Sequence, residues 1–308
     1  MRGLQVPELI KYPSISVVIP SFNQGQYIEE TILSVLGQGY PKLELIVLDA
    51  GSTDNTVEII EKYSDKISYW HSKKDKGQAD AINQGMNLSS GEVVCWLNSD
   101  DMYLPGTLLD IGKRFCGRTN ENYMIYGAAV TINQSNEKLI SSAETAAPFE
   151  AFALTYRDFI VQPSAFWTRK LWESTGDLDI SYNYVLDWEW FLRASKITSF
   201  EYVPRFYSVY RYHPFHKTSS GGAERRKEII EIVKKYSSKY WIDLYLEVEE
   251  AYDAIQEKLK IISKLKVPKK KLILTPVFFP RIMSMVKELE DFYTVLVMYD
   301  FSHAGVLK

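Results

Sequence analysis

Four short apolar runs constrain this chain more than any other feature, because each closes on a polar segment and a stretch of helical period follows. Ile15-Ser16-Val17-Val18-Ile19 is the first; it ends at Pro20-Ser21-Phe22-Asn23 and leads into an amphipathic stretch from Gln26 to Leu36. Leu43 to Leu48 is the second, ending at Asp49-Ala50-Gly51-Ser52-Thr53-Asp54, where Asp54 reads as the N-cap of a helix through Val57, Ile60 and Tyr63. Ile67 to His71 is the third, followed by a helix from Gln78 to Leu88. Glu92 to Leu97 is the fourth; it closes on Asn98-Ser99-Asp100-Asp101, and Pro105 then reads as the first turn of another helix. Strand and helix alternating in this way predict a parallel sheet covered on both faces. Ligands bind such a sheet outside the carboxyl ends of its strands. The polar segments at Ser21, Asp49, Lys76 and Asp100 all fall at those ends.

Asp100 and Asp101 are adjacent carboxylates at the end of an apolar strand. Like charges that close resist joint ionisation unless a cation or water compensates them. An oxygen-rich cluster with few protein ligands suits Mg2+ or Mn2+ shared with a diphosphate. A solvated turn that caps the next helix explains the same pair without a metal.

The ordered motifs VVIPSFNQGQYIEETILSVLGQ, ELIVLDAGSTDNT, DKGQADAINQG and GEVVCWLNSDDMYLPG, continued by FIVQPSAFWTRKLWESTGDLDISYNYVLDWEWFLRAS and YRYHPFHKTSS, resemble family 2 glycosyltransferases. The resemblance spans about residues 14 to 220. It implies an α/β GT-A fold, a mostly parallel central sheet flanked by helices, with a helical C-terminal appendage. The expected boundaries are an N-terminal extension 1–13, a glycosyltransferase domain 14–222 with a donor half 14–104 and an acceptor half 105–222, and a helical region 223–308. The chain departs from the family pattern at Ala50, where a second acid often follows strand two, and at Asn98, where the tetrad usually opens on an acid.

What the resemblance implies can be named residue by residue. Asp49 contacts the nucleotide base or ribose, or else closes a turn before Gly51. Pro20, Ser21, Phe22 and Asn23 line the same pocket, and Asn98 and Asp100 also bind the donor nucleotide. Lys76 neutralises the diphosphate, and Asp80 and Asn83 hold donor hydroxyls, unless Asn83 only ties its helix to a neighbouring loop. Asp100, Asp101 and His213 hold Mn2+ or Mg2+, with His216 the competing histidine. Asp187 is the general base, set at a helix N-terminus between Val185-Leu186 and Trp188, with Glu189 the competing carboxylate. Gln162, Trp188 and Glu189 face the acceptor, while Arg211 and Lys217 meet phosphate. The implied reaction is an inverting transfer from a UDP-sugar to a hydroxyl of a glycan, glycolipid or lipid-linked acceptor.

Composition agrees with an enzyme of this kind. The formal net charge of -3 over 308 residues does not suggest a nucleic-acid partner. Two cysteines, Cys95 and Cys116, offer no disulfide framework and suit a reducing compartment. With no signal-peptide core and no apolar run of spanning length, a cytoplasmic location is expected, at the inner face of the membrane if the tail binds lipid. That tail interleaves lysine with Leu and Ile from Lys258 to Lys271, as a segment in peripheral contact with anionic lipid does, or as a solvated helix face does. A nucleotidyltransferase and a non-catalytic sugar-nucleotide-binding protein are the alternatives. The first would show a Gly-rich loop after strand one, where this chain reads Pro-Ser-Phe-Asn; a nicotinamide dehydrogenase is disfavoured for the same reason.

Overall fold

A computed structural model describes residues 11–139, 148–214, 216, 217, 221–247 and 250, together with the backbone of 272–274 and 295–297. The chain divides into two units, Met1–Ile232 and Val233–Lys308.

The first unit is built on one nine-stranded sheet. Its first half holds β1 (Ile15–Ser21), β2 (Leu43–Asp49), β3 (Tyr69–Ser72) and β4 (Val93–Trp96), all parallel, in the order β3-β2-β1-β4. The connections are α1 (Ile28–Leu36), α2 (Thr56–Lys62) and α3 (Gln78–Leu88). Every residue of β1 is buried, as a strand covered on both faces must be. Ile15, Val17 and Ile19 join one core with Ile28, Ile32 and Val35 of α1. On the other face α3 comes so close to β1 that a Cβ added at Gly85 would lie 2.3 Å from Val18 Cγ1. The chain leaves β1 in one direction towards β2 and β3 and later returns on the other side as β4. The crevice outside the β1 and β4 ends is therefore a topological switch point.

The second half of the sheet continues beyond β4. It contains β5 (Met102–Tyr103), α4 (Thr107–Phe115), β6 (Met124–Asn133), β7 (Lys138–Leu139), α5 (Ala151–Leu154), a 3-10 turn Gln162–Ser164, β8 (Ala165–Thr168), α6 (Arg169–Thr175), α7 (Leu186–Ala194) and β9 (Glu201–Tyr212). β8 runs antiparallel to both β4 and β6, β9 runs parallel to β6, and β5 pairs antiparallel with β9. Asn136, with a φ of 62°, makes the turn between β6 and β7. The β6–β9 ladder shifts register around Gly127, where a side chain would strike Arg205 O at 2.5 Å and where Pro204 supplies no N–H.

Three expectations are corrected. Pro105 precedes the helix rather than forming its first turn: α4 begins at Thr107, after Gly106 at a φ of 81°, and Met102–Tyr103 form strand β5. The N-cap position of α2 is Asn55, although Asp54 Oδ1 still accepts the Thr56 N–H at 3.0 Å. In the second unit residues 239–247 are helical, but Leu272–Leu274 and Val295–Val297 pair as parallel strands, so the region is not wholly helical. The Lys258 to Lys271 segment lies outside the described residues. No helix among the described residues is long and apolar enough to cross a membrane.

Gly85→Ala tests the contact between α3 and β1. Alanine gains up to about 1 kcal/mol of intrinsic helix preference over glycine, but the clash with Val18 is expected to outweigh it. A net loss of about 1–3 kcal/mol, typical of overpacking, is expected in urea unfolding. A stabilised variant would mean that the two elements are further apart.

Candidate active site

A cavity of about 460 Å3 opens at the switch point. Pro20, Ser21 and Phe22 from the end of β1 form one wall, with Gln24 and Ala50 beside them. Lys74, Asp75, Gly77, Gln78 and Ala81 come from the β3–α3 connection and the start of α3. Asn98, Ser99 and Asp100 from the end of β4 face His216 and Lys217, which follow β9. Phe22 is 56% exposed, an aromatic face left open to the cavity mouth. The Ser21 hydroxyl is buried and has no hydrogen-bond partner among the described residues.

Two neighbouring loops support the first wall. Asn23 adopts a left-handed φ of 51°, a conformation that asparagine tolerates. Its Oδ1 accepts the Thr53 N–H at 2.8 Å, and its own N–H donates to Ser52 Oγ at 2.7 Å. The Gly25 N–H donates to Asp54 Oδ2 at 2.9 Å and the Gln24 N–H to Thr56 Oγ1 at 2.9 Å. The loop after β1 is thus tied to the loop after β2 at four points.

Asp100 and Asp101 have separate surroundings. Asp100 stands on the cavity wall, and its Oδ2 lies 3.1 Å from His213 Nε2. Asp101 is fully buried away from the cavity; its Oδ1 accepts the Arg211 N–H at 3.1 Å and its Oδ2 the Asn98 amide at 3.3 Å. Burial, and then the charge of Asp100, push the Asp101 carboxyl well above the usual carboxylate range, against the pull of those two donors. Asn98 is useful as an amide here, since its NH2 reaches both Asp101 and Gln162 while its Oδ1 accepts Gln78 Nε2 at 2.7 Å. Lys217 Nζ then donates to Gln78 Oε1 at 2.8 Å, so one hydrogen-bonded line joins the chain after β9 to the end of β4. Burial pushes the Lys217 ammonium down to about 8, although Asp187 and Glu228 pull it up. Burial likewise holds His216 below the usual imidazole range.

Asp187 sits in the first turn of α7, with Oδ1 accepting the Trp188 N–H at 2.9 Å. Desolvation by the surrounding protein raises its carboxyl; the Trp188 and Asp187 backbone N–H groups and the charges of Lys217 and Arg225 work the other way. Asp158 stands near it and is raised too, by desolvation and then by the Asp187 charge.

Several residues expected to meet a ligand are engaged elsewhere. Asp49 is engaged by its own loop and by the end of β3: Oδ2 accepts from Gly51 N, Ser52 N and Ser72 Oγ, and Oδ1 from Ser52 Oγ. Asp80 caps the start of α3, accepting the Lys76 N–H at 3.0 Å, and Gln84 also holds it; it is Lys74, rather than Lys76, that reaches the cavity wall. Asn83 gives both amide atoms to the Leu178 backbone, each at 2.9 Å. Gln162 ties the 3-10 turn to Trp96 O at 2.9 Å, and Trp188 Nε1 ties α7 to Leu154 O at 2.7 Å. Glu189 is buried and accepts from Arg193 Nε at 2.8 Å. Arg211 is buried as a clamp on Asp100 O, Asn136 and Glu30, and does not line the cavity. Sequence reasoning missed Gln24, Lys74, Asp75, Gln78 and Ala81 on the cavity wall; the available signal was nearness in sequence to the ends of β1 and β3.

Among the described residues no group of three or more His, Cys, Asp or Glu side chains gathers as a metal cage. Asp100 with His213 nevertheless fits a divalent cation that takes its other ligands from phosphate oxygens and water.

Comparison with known proteins gives a coherent answer. The family model described as glycosyl transferase family 2 matches residues 16–169, half of the chain. A glycosyltransferase of Rickettsia felis is 34% identical over 135 residues, which are 43% of this chain and 22% of that protein. A PGL/p-HBAD biosynthesis glycosyltransferase of Mycobacterium bovis is 25% identical over 186 residues, 59% of this chain and 70% of that one. The chain therefore spans about a fifth of the length of the Rickettsia relative. Among solved structures, Staphylococcus aureus TarS 1-349 in complex with UDP-GlcNAc superposes with a TM-score of 0.57 at 18% identity, over 71% of this chain and 65% of that one. The mannosyltransferase PcManGT of Pyrobaculum calidifontis, in complex with GDP-Man and Mn2+, superposes with a TM-score of 0.55 at 20% identity, over 75% and 66%. Both are similar in fold.

The Asn83 geometry can be checked directly. Asn83→Ala strands a buried N–H and a buried C=O of Leu178, which is expected to remove about 2–4 kcal/mol from the unfolding free energy. A variant as stable as the parent would return Asn83 to the ligand-binding set.

Proposed function

The chain belongs to glycosyl transferase family 2 and carries a GT-A fold, and from that premise we propose that it transfers a sugar from a nucleotide-diphosphate sugar, a UDP-sugar, to a hydroxyl of a glycan, glycolipid or lipid-linked acceptor. The observation that carries this reading is the cavity at the switch point, which the Asp100 carboxylate and Lys217 both line. A diphosphate bound there meets a cation-binding carboxylate and an ammonium. Phe22 and Ser21 offer an aromatic face and an unsatisfied hydroxyl to the nucleotide.

Asp100 with His213 would hold Mn2+ or Mg2+, which when bound stabilises the negative charge of the departing diphosphate. Lys217 and Lys74 add positive charge on the same cavity wall. Asp187 accepts the proton of the acceptor hydroxyl. That oxygen forms its bond to the anomeric carbon as the bond to the diphosphate breaks, and the electron pair leaves with the nucleotide. A single displacement from the opposite face inverts the anomeric centre. A carboxyl raised by desolvation is a stronger base than one in water, which suits the task.

The assignment is tested in two halves. Calorimetry of UDP binding with Mn2+ should show binding in the parent and its loss in Asp100→Asn. UDP release from UDP-GlcNAc, with GDP release from GDP-mannose as the second probe, should fall by about 10²–10⁴ in Asp187→Asn while nucleotide binding survives. Unchanged binding in the first variant removes the cation site, and full turnover in the second removes the base.

A pH series reads Lys217. Its ammonium is charged below about 8 and neutral above it, so the affinity for UDP should weaken as pH rises through that value, by about tenfold for one lost charge-assisted contact. Lys217→Arg stays charged and should flatten the profile. A profile identical in both proteins would take Lys217 out of the diphosphate site.

A further inference from the structure

The helix that carries Asp187 has no side-chain cap of its own. Its N-cap residue, Val185, carries no acceptor, although the first N–H groups of any helix need one. The N–H groups that approach it are received from elsewhere in the chain. Glu228, on the helix Gly222–Tyr236, accepts Asn183 N at 2.9 Å through Oε1, and Tyr184 N at 2.7 Å and Val185 N at 3.2 Å through Oε2. One carboxylate thus gathers three consecutive N–H groups that end two residues before Asp187. A negative charge at a helix N-terminus is favourable, and a charged acceptor binds about twice as strongly as a neutral one.

A second contact fixes the same junction. Gly221 passes so close to Tyr184 that an added Cβ would lie 2.7 Å from its ring and 2.6 Å from Arg225 Cβ. Lys217 Nζ lies 6.0 Å from the centre of the same ring. The chain that lines the donor cavity with His216 and Lys217 therefore runs on into the helix that grips the approach to Asp187.

We infer that Glu228 is a positioning residue for Asp187: it fixes the segment from which the base helix starts, and it ties that segment to the chain lining the donor cavity. The inference rests on the proposed role of Asp187. It does not make Glu228 a participant in bond making.

Glu228→Ala and the near-isosteric Glu228→Gln test it. In Glu228→Ala the amides of Asn183, Tyr184 and Val185 should exchange hydrogen faster. UDP affinity with Mn2+, measured at about pH 6 where Lys217 stays charged in both proteins, should stay within about twofold of the parent. Turnover of UDP-GlcNAc or GDP-mannose should fall by about 10²-fold, the loss that a displacement near 1 Å produces. Glu228→Gln keeps one oxygen and should fall between the parent and Glu228→Ala. Parental turnover in Glu228→Ala overturns the inference. So does a joint loss of stability, UDP affinity and turnover in both variants, which marks a purely structural residue. Asp187→Asn runs alongside: if it keeps parental turnover, the base assignment itself has failed. If it is inactive while Glu228→Ala is fully active, only the positioning role has failed.

Discussion

One buried carboxylate holds the ligand edge of the sheet together. Asp101 accepts the backbone N–H of Arg211 and so joins the end of β4 to the end of β9. The single Thr31 hydroxyl proton of α1 is shared between Ser99 O at 2.9 Å and Asp101 O at 2.8 Å, which brings α1 to the same junction. Arg211 completes it with a planar fork of donors that a lysine lacks, reaching Asp100 O, Asn136 and Glu30 from a buried position. The approach of His213 to Asp100 depends on this junction, because His213 follows the last residues of β9.

The adjacent acids consequently divide the work. Two ionised carboxylates facing one cavity would repel each other strongly. Here one is turned inward, where an N–H and an amide satisfy it, and the other stays at the cavity wall. Asn98 fits the same logic. An acid in its place would add a third charge beside Asp101, whereas the amide donates to it.

Much of the fold was legible in the sequence, because apolar runs bounded by turn residues report strands directly; Gln78–Leu88 agrees with the expected helix end for end. The second half was harder to read. β5 has two residues and exists through its pairing with β9, a long-range partner that no local pattern announces. The site shows the same division. Pro20, Ser21, Phe22, Asn98, Asp100 and Lys217 line the cavity, and strand ends and motif order are what locate them in the sequence. Residue type alone does not reveal whether a polar side chain points to solvent or to a backbone group distant in sequence. Asn83 is bonded 95 residues away and Arg211 reaches back 181 residues to Glu30. Glu228 escaped notice for that reason too, since the amides it holds lie 43 to 45 residues upstream.

The four ties between the loops after β1 and β2 bear on how this scaffold can be recombined. The Asn23, Gln24 and Gly25 N–H groups and the Asn23 amide oxygen find partners in Ser52, Thr53, Asp54 and Thr56. A loop imported alone from a relative would arrive with donors and acceptors cut for another counterpart, and would leave half of them unmet. The two segments behave as one cassette, and grafting a new nucleotide preference onto this frame means moving both together.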